Sequence, residues 1–143
     1  MTTRQAVVNE AKTWLGTDYH HQGRLKGVGV DCAMILAEVF ESVGMIPHIS
    51  PEEENYPPDW HFHRSEERYL NWITDYAKET EIPLPGDVVL FQFGRCISHG
   101  GIVVEWPTII HSYFREGVVL ADATKGDLAG RHRKTFTLFE EGK

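Results

Sequence analysis

The sequence predicts an α+β domain with helices packed on one face of an antiparallel sheet. Helical periodicity is confined to the first half of the chain, and beyond "PLPG" (83–86) the period becomes that of short β-branched and aromatic strands. At 143 residues, 41% hydrophobic and 24% charged, the chain is ordinary for a single domain with a core of its own.

The first helix is expected from about Thr3 to Leu15. Val7, Ala11, Trp14 and Leu15 share one face, Gly16 stops it, and Thr2 with Gln5 resembles a capping box. "TDYHHQGRLKGVGV" (17–30) is aperiodic and punctuated by glycine, hence a loop. The clearest helix follows: Cys32, Ile35, Leu36, Val39, Phe40 and Val43 form an apolar stripe, with Asp31 as N-cap, Gly44 just past the end and Pro47 beyond. After a proline-rich connection (47–64), a third helix is expected from Ser65 to Lys78, burying Tyr69, Trp72, Ile73, Tyr76 and Ala77. Then "DVVLFQF", "GGIVVEW", "TIIHSYF" and "GVVLAD" read as strands.

The net charge of −7 excludes an ordinary nucleic-acid binder. "RHRK" (131–134), the one basic cluster, reads as a solvated terminal segment. No run is long and apolar enough for a signal peptide or a membrane span, so synthesis in the cytoplasm is expected. In that reducing compartment the two cysteines, Cys32 and Cys96, are not expected to pair, and Cys96 reads as a half-buried strand-end residue.

Cys32 lies in the first turn of its helix, where unpaired N–H groups and a positive dipole favour a thiolate. A nucleophilic thiol also needs a base, and the base needs a polar group to orient it. Of the eight histidines, His99 and His111 fall in the strands. A turn centred on Glu105 would make them directly opposed neighbours on one sheet face; one centred later, as Pro107 favours, would shift that pairing. Gly100 and Gly101 leave space for another chain to approach the sheet.

Other readings of these residues stay open. Cys32 could be a small packing residue on an apolar stripe, and each strand histidine a hydrogen-bonded core residue. Cys32, Cys96, His99 and His111 could form a Cys₂His₂ zinc set, although only Cys96 and His99 are a tight pair. His20–His21 and His61/His63 read as surface or packing histidines.

"GVDCAMIL", "LPGDVVLFQFGRCISHGGIVV" and "IIHSY", preceded by "GTDYHHQG", resemble the successive blocks of the NlpC-type cell-wall cysteine peptidases over about residues 5–121. "PPDWHFHRSEERYLNWI" and "FGRCISHGGIVVEWP" further resemble a subgroup encoded among phage and prophage tail-assembly genes. The resemblance implies a papain-like α+β fold with the nucleophile at a helix N-terminus and no cofactor. It implies hydrolysis of peptidoglycan stem peptides, typically between γ-D-glutamate and a diamino acid, with delivery in a phage tail. It makes Cys32 the nucleophile, His99 the general base and His111 its orienting partner. Tyr19 would touch substrate or oxyanion, and Asp31 the amine of the stem peptide. Ala33 departs from the serine that many members carry there. A structural tail component with little activity and a thiol acyltransferase are the alternatives on this scaffold. Residues 122–143 are left unassigned.

Overall fold

The computed structural model describes residues 2–20, 23–47 and 75–139. Its order is α1 (Arg4–Lys12), β1 (Arg24–Leu25), β2 (Gly29–Val30), α2 (Cys32–Ser42), β3 (Lys78–Glu79), β4 (Val88–Phe93), β5 (Cys96–Glu105), β6 (Thr108–Tyr113), β7 (Gly117–Asp122) and β8 (His132–Thr137). Strands β3 to β8 form one six-stranded sheet in the order β3-β8-β4-β5-β6-β7, antiparallel throughout. The expected α+β class is the one found. Among the described residues no helix is long and apolar enough to cross a membrane.

Helix α2 forms as its sequence requires. The Asp31 carboxylate accepts the N–H groups of Ala33 and Met34 at 3.1 and 2.8 Å, and Gly44 follows the helix at φ +80°. Its stripe of Ile35, Leu36, Val39 and Phe40 is fully buried against Val88, Leu90, Ile102, Ile110 and Val118 of the sheet, with Val7 and Ala11 of α1 and Trp14 just after it closing the layer. Each such side chain contributes about 1.5–3 kcal/mol relative to an exposed one. The opposite face of the sheet buries Val89, Phe91, Val103 and Ile109 under Ala123 and Leu128, the latter on a 3₁₀ turn at Gly126–Leu128.

Several local expectations are corrected. Helix α1 is capped by Thr3, whose Oγ1 accepts the Ala6 N–H at 3.0 Å, while Thr2 donates to Val43 O and joins the two helices. The helix ends at Lys12, and Leu15 is exposed. The expected loop at 17–30 contains the β1–β2 hairpin, pinned to α2 by Arg24, which bonds Glu38 and Glu41 at 2.7 Å each. Most of the third helix lies outside the described residues. Its end is placed too far along, since Lys78–Glu79 is a strand paired with Thr137 and Phe136, and Tyr76 is exposed.

The largest correction concerns "RHRK". His132 to Lys134 belong to β8, which hydrogen-bonds β3 on one side and β4 on the other. The segment is not a solvated tail: the Arg131 guanidinium lies 4.4 Å from the Phe93 ring centre, and His132 packs at a tilt beside Phe91 and Trp106.

The start of β4 is locked by Arg4. Its Nη1 donates to Asp87 Oδ1 at 2.8 Å and to Pro85 O at 3.0 Å, while Asp87 Oδ2 accepts Leu84 N–H at 3.0 Å. Asp87 is 1% exposed. Arg4→Met is expected to strand this buried carboxylate and cost about 3 kcal/mol, read by urea denaturation.

Candidate active site

Cys32 opens α2 as a buried thiol rather than half of a disulfide. Its Sγ donates to Ser98 O at 3.6 Å, and the N–H of Gly100 points at the sulfur. The nucleophile candidate therefore rests on the two residues that flank His99. Strand β5 makes room for this. Its ladder with β6 runs from Glu105–Thr108 to Ile102–Ile110 and stops there. Val103 exchanges both backbone groups with the β4 side, so by alternation Gly100 faces the β6 side, where Cys32 takes the place of a strand partner. Ser98 is the extra residue of a β-bulge, since Phe91 faces His99 and Gln92 faces Ile97.

His99 and His111 are brought together, both buried, with Nε2 of one 2.7 Å from Nδ1 of the other. The pairing is diagonal and not directly opposed. Trp106–Pro107 form the turn, Val103 faces Ile109, and this register sets His111 beside Gly101 and His99 beside Tyr113. The shift keeps both rings on one face because side-chain direction alternates with period two. Gly101 is required by this approach: a Cβ there would lie 2.9 Å from Ile109 Cδ1 and 3.3 Å from His111 Cβ. What approaches the two glycines is thus β6 and the first turn of α2.

The electrostatics correct the expected thiolate. The N–H groups of Gly100, Cys32 and Ala33 do draw the thiol pKa down, but burial pushes it up, and the neighbouring Asp31 carboxylate adds to that. Cys32 therefore rests as a neutral thiol. Burial, then the His111 ring, holds His99 well below the ordinary imidazole range, and burial lowers His111 to about 4. Both rings are neutral near pH 7, so one nitrogen of the close pair carries the shared proton and the other accepts it.

Tyr19 bridges to Val30 and is near enough to Cys32 and Asp31 that both raise its hydroxyl, after burial, above the ordinary range; it stays a protonated donor. Asp31 is buried and spends Oδ1 on the helix cap. Cys96 is described only for its backbone, His20 is exposed, and His21, His61 and His63 lie outside the described residues. Among the described side chains, which leave out that of Cys96, no zinc set is assembled. The facing ring nitrogens of His99 and His111 engage each other, and among the described residues no three His, Cys, Asp or Glu side chains converge.

Three contributors were missed from sequence. Tyr113 stacks on His111 at 5.3 Å and meets His99 edge-on, and Phe93 packs edge-on against His99 at 5.6 Å. Strand alternation from His111 to Tyr113 was the available signal. Ser112, fully buried, donates from Oγ to Val30 O at 2.7 Å, tying the strand of His111 to the backbone two residues before Cys32. Ser112→Ala is expected to lower kcat/KM on a peptide substrate about tenfold while costing about 1 kcal/mol of stability. Parallel kinetics and thermal melts check this, with partial rescue by Ser112→Thr.

A helix-borne thiol against a strand that carries one of two paired imidazoles is a constellation with known relatives. The sequence profile of the NlpC/P60 family matches residues 16–133. The chain belongs to the NlpC/P60 family. Members of this family are cysteine peptidases acting on peptidoglycan. The NlpC/p60 domain of the peptidoglycan hydrolase SagA superposes with a TM-score of 0.64 at 17% identity, covering 95% of this chain and 99% of that domain. An NlpC/P60 family protein from Bacillus cereus ATCC 10987 gives a TM-score of 0.65 at 20% identity, over 94% of this chain and 39% of that one. NlpC1 from Trichomonas vaginalis gives 0.64 at 18%, over 93% and 42%. The chain thus spans about two fifths of the last two proteins' length. These likenesses establish the NlpC/P60 fold. No curated protein matches the chain.

Proposed function

We propose that this NlpC/P60 domain is a thiol hydrolase that cuts an amide bond in peptidoglycan stem peptides, between a γ-D-glutamyl residue and a diamino acid. The observation that carries the reading is the His99–His111 contact of 2.7 Å on the strand whose Ser98 and Gly100 hold the Cys32 sulfur.

His99 donates Nε2–H to Nδ1 of His111, a tautomer that leaves Nδ1 of His99 as the base. When substrate binds, that nitrogen takes the Cys32 proton as sulfur attacks the scissile carbonyl carbon, and an S–C bond forms. The oxyanion is met by the Cys32 N–H at the helix start and by the Tyr19 hydroxyl. Collapse breaks the C–N bond, and the leaving amine takes the proton from His99. Water then gives a proton to His99 and its oxygen to the thioester, releasing a carboxylic acid and the thiol. His111 holds the ring in its working tautomer and shares the charge it gains. Asp31 caps α2 and contacts the amine of the stem peptide through whatever acceptor capacity the cap leaves.

We further propose delivery to the wall in a phage or prophage tail, after synthesis in the cytoplasm. The likeness of residues 57–73 and 93–107 to tail-associated members supports this. Mass spectrometry of peptidoglycan digested with wild-type and Cys32→Ala protein tests the chemistry. New fragments ending in γ-D-glutamate with wild type alone support it; intact muropeptides in both digests refute it.

A further inference from the structure

The turn between β6 and β7 sets an aromatic ring and a cation beside the site, and the mechanism above uses neither. Phe114 is 61% exposed, yet its ring meets Tyr19 edge-on at 5.7 Å, and the Arg115 guanidinium lies 5.3 Å from its centre. The turn is held in place: Glu116 N–H donates to Tyr113 O at 3.0 Å, and Val118 N–H to Thr17 O at 2.8 Å. Gly117 sits so close to the chain before Tyr19 that a Cβ would lie 2.5 Å from Thr17 O. A solvated turn would not need such an anchor.

Both neighbours of Phe114 lead back to the chemistry. Tyr113 stacks on His111, and Tyr19, which Phe114 touches, lies within the electrostatic reach of Cys32 and Asp31. Phe114 and Arg115 are therefore rim residues. Among the described residues Arg115 makes no hydrogen bond or ion pair, so its N–H groups are left for a ligand beside the ring. In a chain of net charge −7, a cation at the mouth is what an anionic substrate requires. A planar guanidinium suits one anion best, a carboxylate held by two parallel N–H bonds. The adjacent Glu116 weakens attraction for a distant anion but not this short-range fork.

We infer that Phe114 and Arg115 form a subsite that holds a free carboxylate of the peptide substrate, with the Phe114 ring covering the aliphatic chain next to it. The inference rests on the stem-peptide reading for the kind of substrate. Such a peptide offers two carboxylates, the terminal one and the α-carboxylate of the γ-linked glutamate.

The probe is L-Ala–γ-D-Glu–L-Lys–D-Ala in three forms: unmodified, amidated at the C-terminus, and amidated at the glutamate α-carboxylate. Each is titrated calorimetrically into Cys32→Ala protein with and without Arg115→Gln, and kcat/KM is measured for wild type, Arg115→Gln and Phe114→Ala. Amidating one of the two carboxylates is expected to weaken binding about tenfold, a penalty that vanishes with Arg115→Gln. That variant raises KM and leaves kcat nearly unchanged, whereas Phe114→Ala weakens all three forms alike. The subsite is overturned if neither amidation matters, if the penalty survives Arg115→Gln, or if no form binds. Hydrolysis by wild type without dependence on Arg115 removes the subsite and keeps the hydrolase. Arg115-dependent binding without hydrolysis does the reverse.

Discussion

Cys32→Ala is expected to lower hydrolysis of peptidoglycan peptides by about 10⁴-fold while leaving the fold in place. The two halves of this expectation have separate origins. Loss of sulfur removes the atom that forms the acyl-enzyme, and the Cys32 backbone N–H and the paired imidazoles cannot replace a covalent step. Stability draws little on that sulfur, which gives a long bond to Ser98 O, takes the Gly100 N–H and fills a small buried volume. The helix start is held by the Asp31 cap, which alanine does not disturb. A cost of about 1 kcal/mol is expected. Cys32→Ser sharpens the result, because its hydroxyl can still donate to Ser98 O, so the packing survives while the nucleophile is lost. Amine release measured beside thermal melts reads both. Retention of a tenth of the activity by either variant would contradict the assignment.

His99→Gln is expected to cost about 10³-fold in kcat/KM. The amide can keep a hydrogen bond to His111 Nδ1 but cannot take the thiol proton. The wild-type pH profile carries independent information. Both rings titrate below the ordinary imidazole range, His111 at about 4, so the base stays neutral well below pH 6.5. The acid limb of kcat/KM is accordingly expected well below pH 6.5, and a limb at or above 6.5 would contradict the buried pair. The linked effect on stability has a fixed sign. The unfolded chain binds protons at these histidines below about pH 6.5, whereas the folded chain does so only at lower pH, about 4 for His111, so stability is full above 6.5 and declines as pH falls below it. His132, lowered first by burial, adds in the same direction.

How much of this was legible depends on the kind of interaction. Helix α2 was legible because Asp31, the apolar stripe and Gly44 are local signals that agree with one another. The common face of His99 and His111 was legible from strand alternation. Their diagonal pairing was not, because register depends on where the chain turns, and Trp106–Pro107 place that turn beyond Glu105. Strand β8 was illegible for a physical reason. Its place in the sheet comes from main-chain bonds to β3 and β4, while Arg133 is exposed and only Arg131, just before the strand, lies over an aromatic ring, so its side chains read as a solvated run. The dipole argument for a thiolate was sound as far as it went but left out burial, which no local pattern reports. The Ser112–Val30 bond joins residues 82 positions apart and has no sequence signal at all.

The central claim is a covalent one, that the Cys32 sulfur becomes acylated by the glutamyl side of the scissile bond. Rapid acid quench of wild-type protein mixed with L-Ala–γ-D-Glu–L-Lys–D-Ala, followed by peptide mapping, measures this directly. The account predicts the mass of an alanyl-glutamyl acyl group on the peptide containing Cys32, with release of the Lys–D-Ala amine at the same rate and no adduct in Cys32→Ala. Turnover with no adduct on Cys32 at any quench time, undiminished in Cys32→Ala, would contradict it.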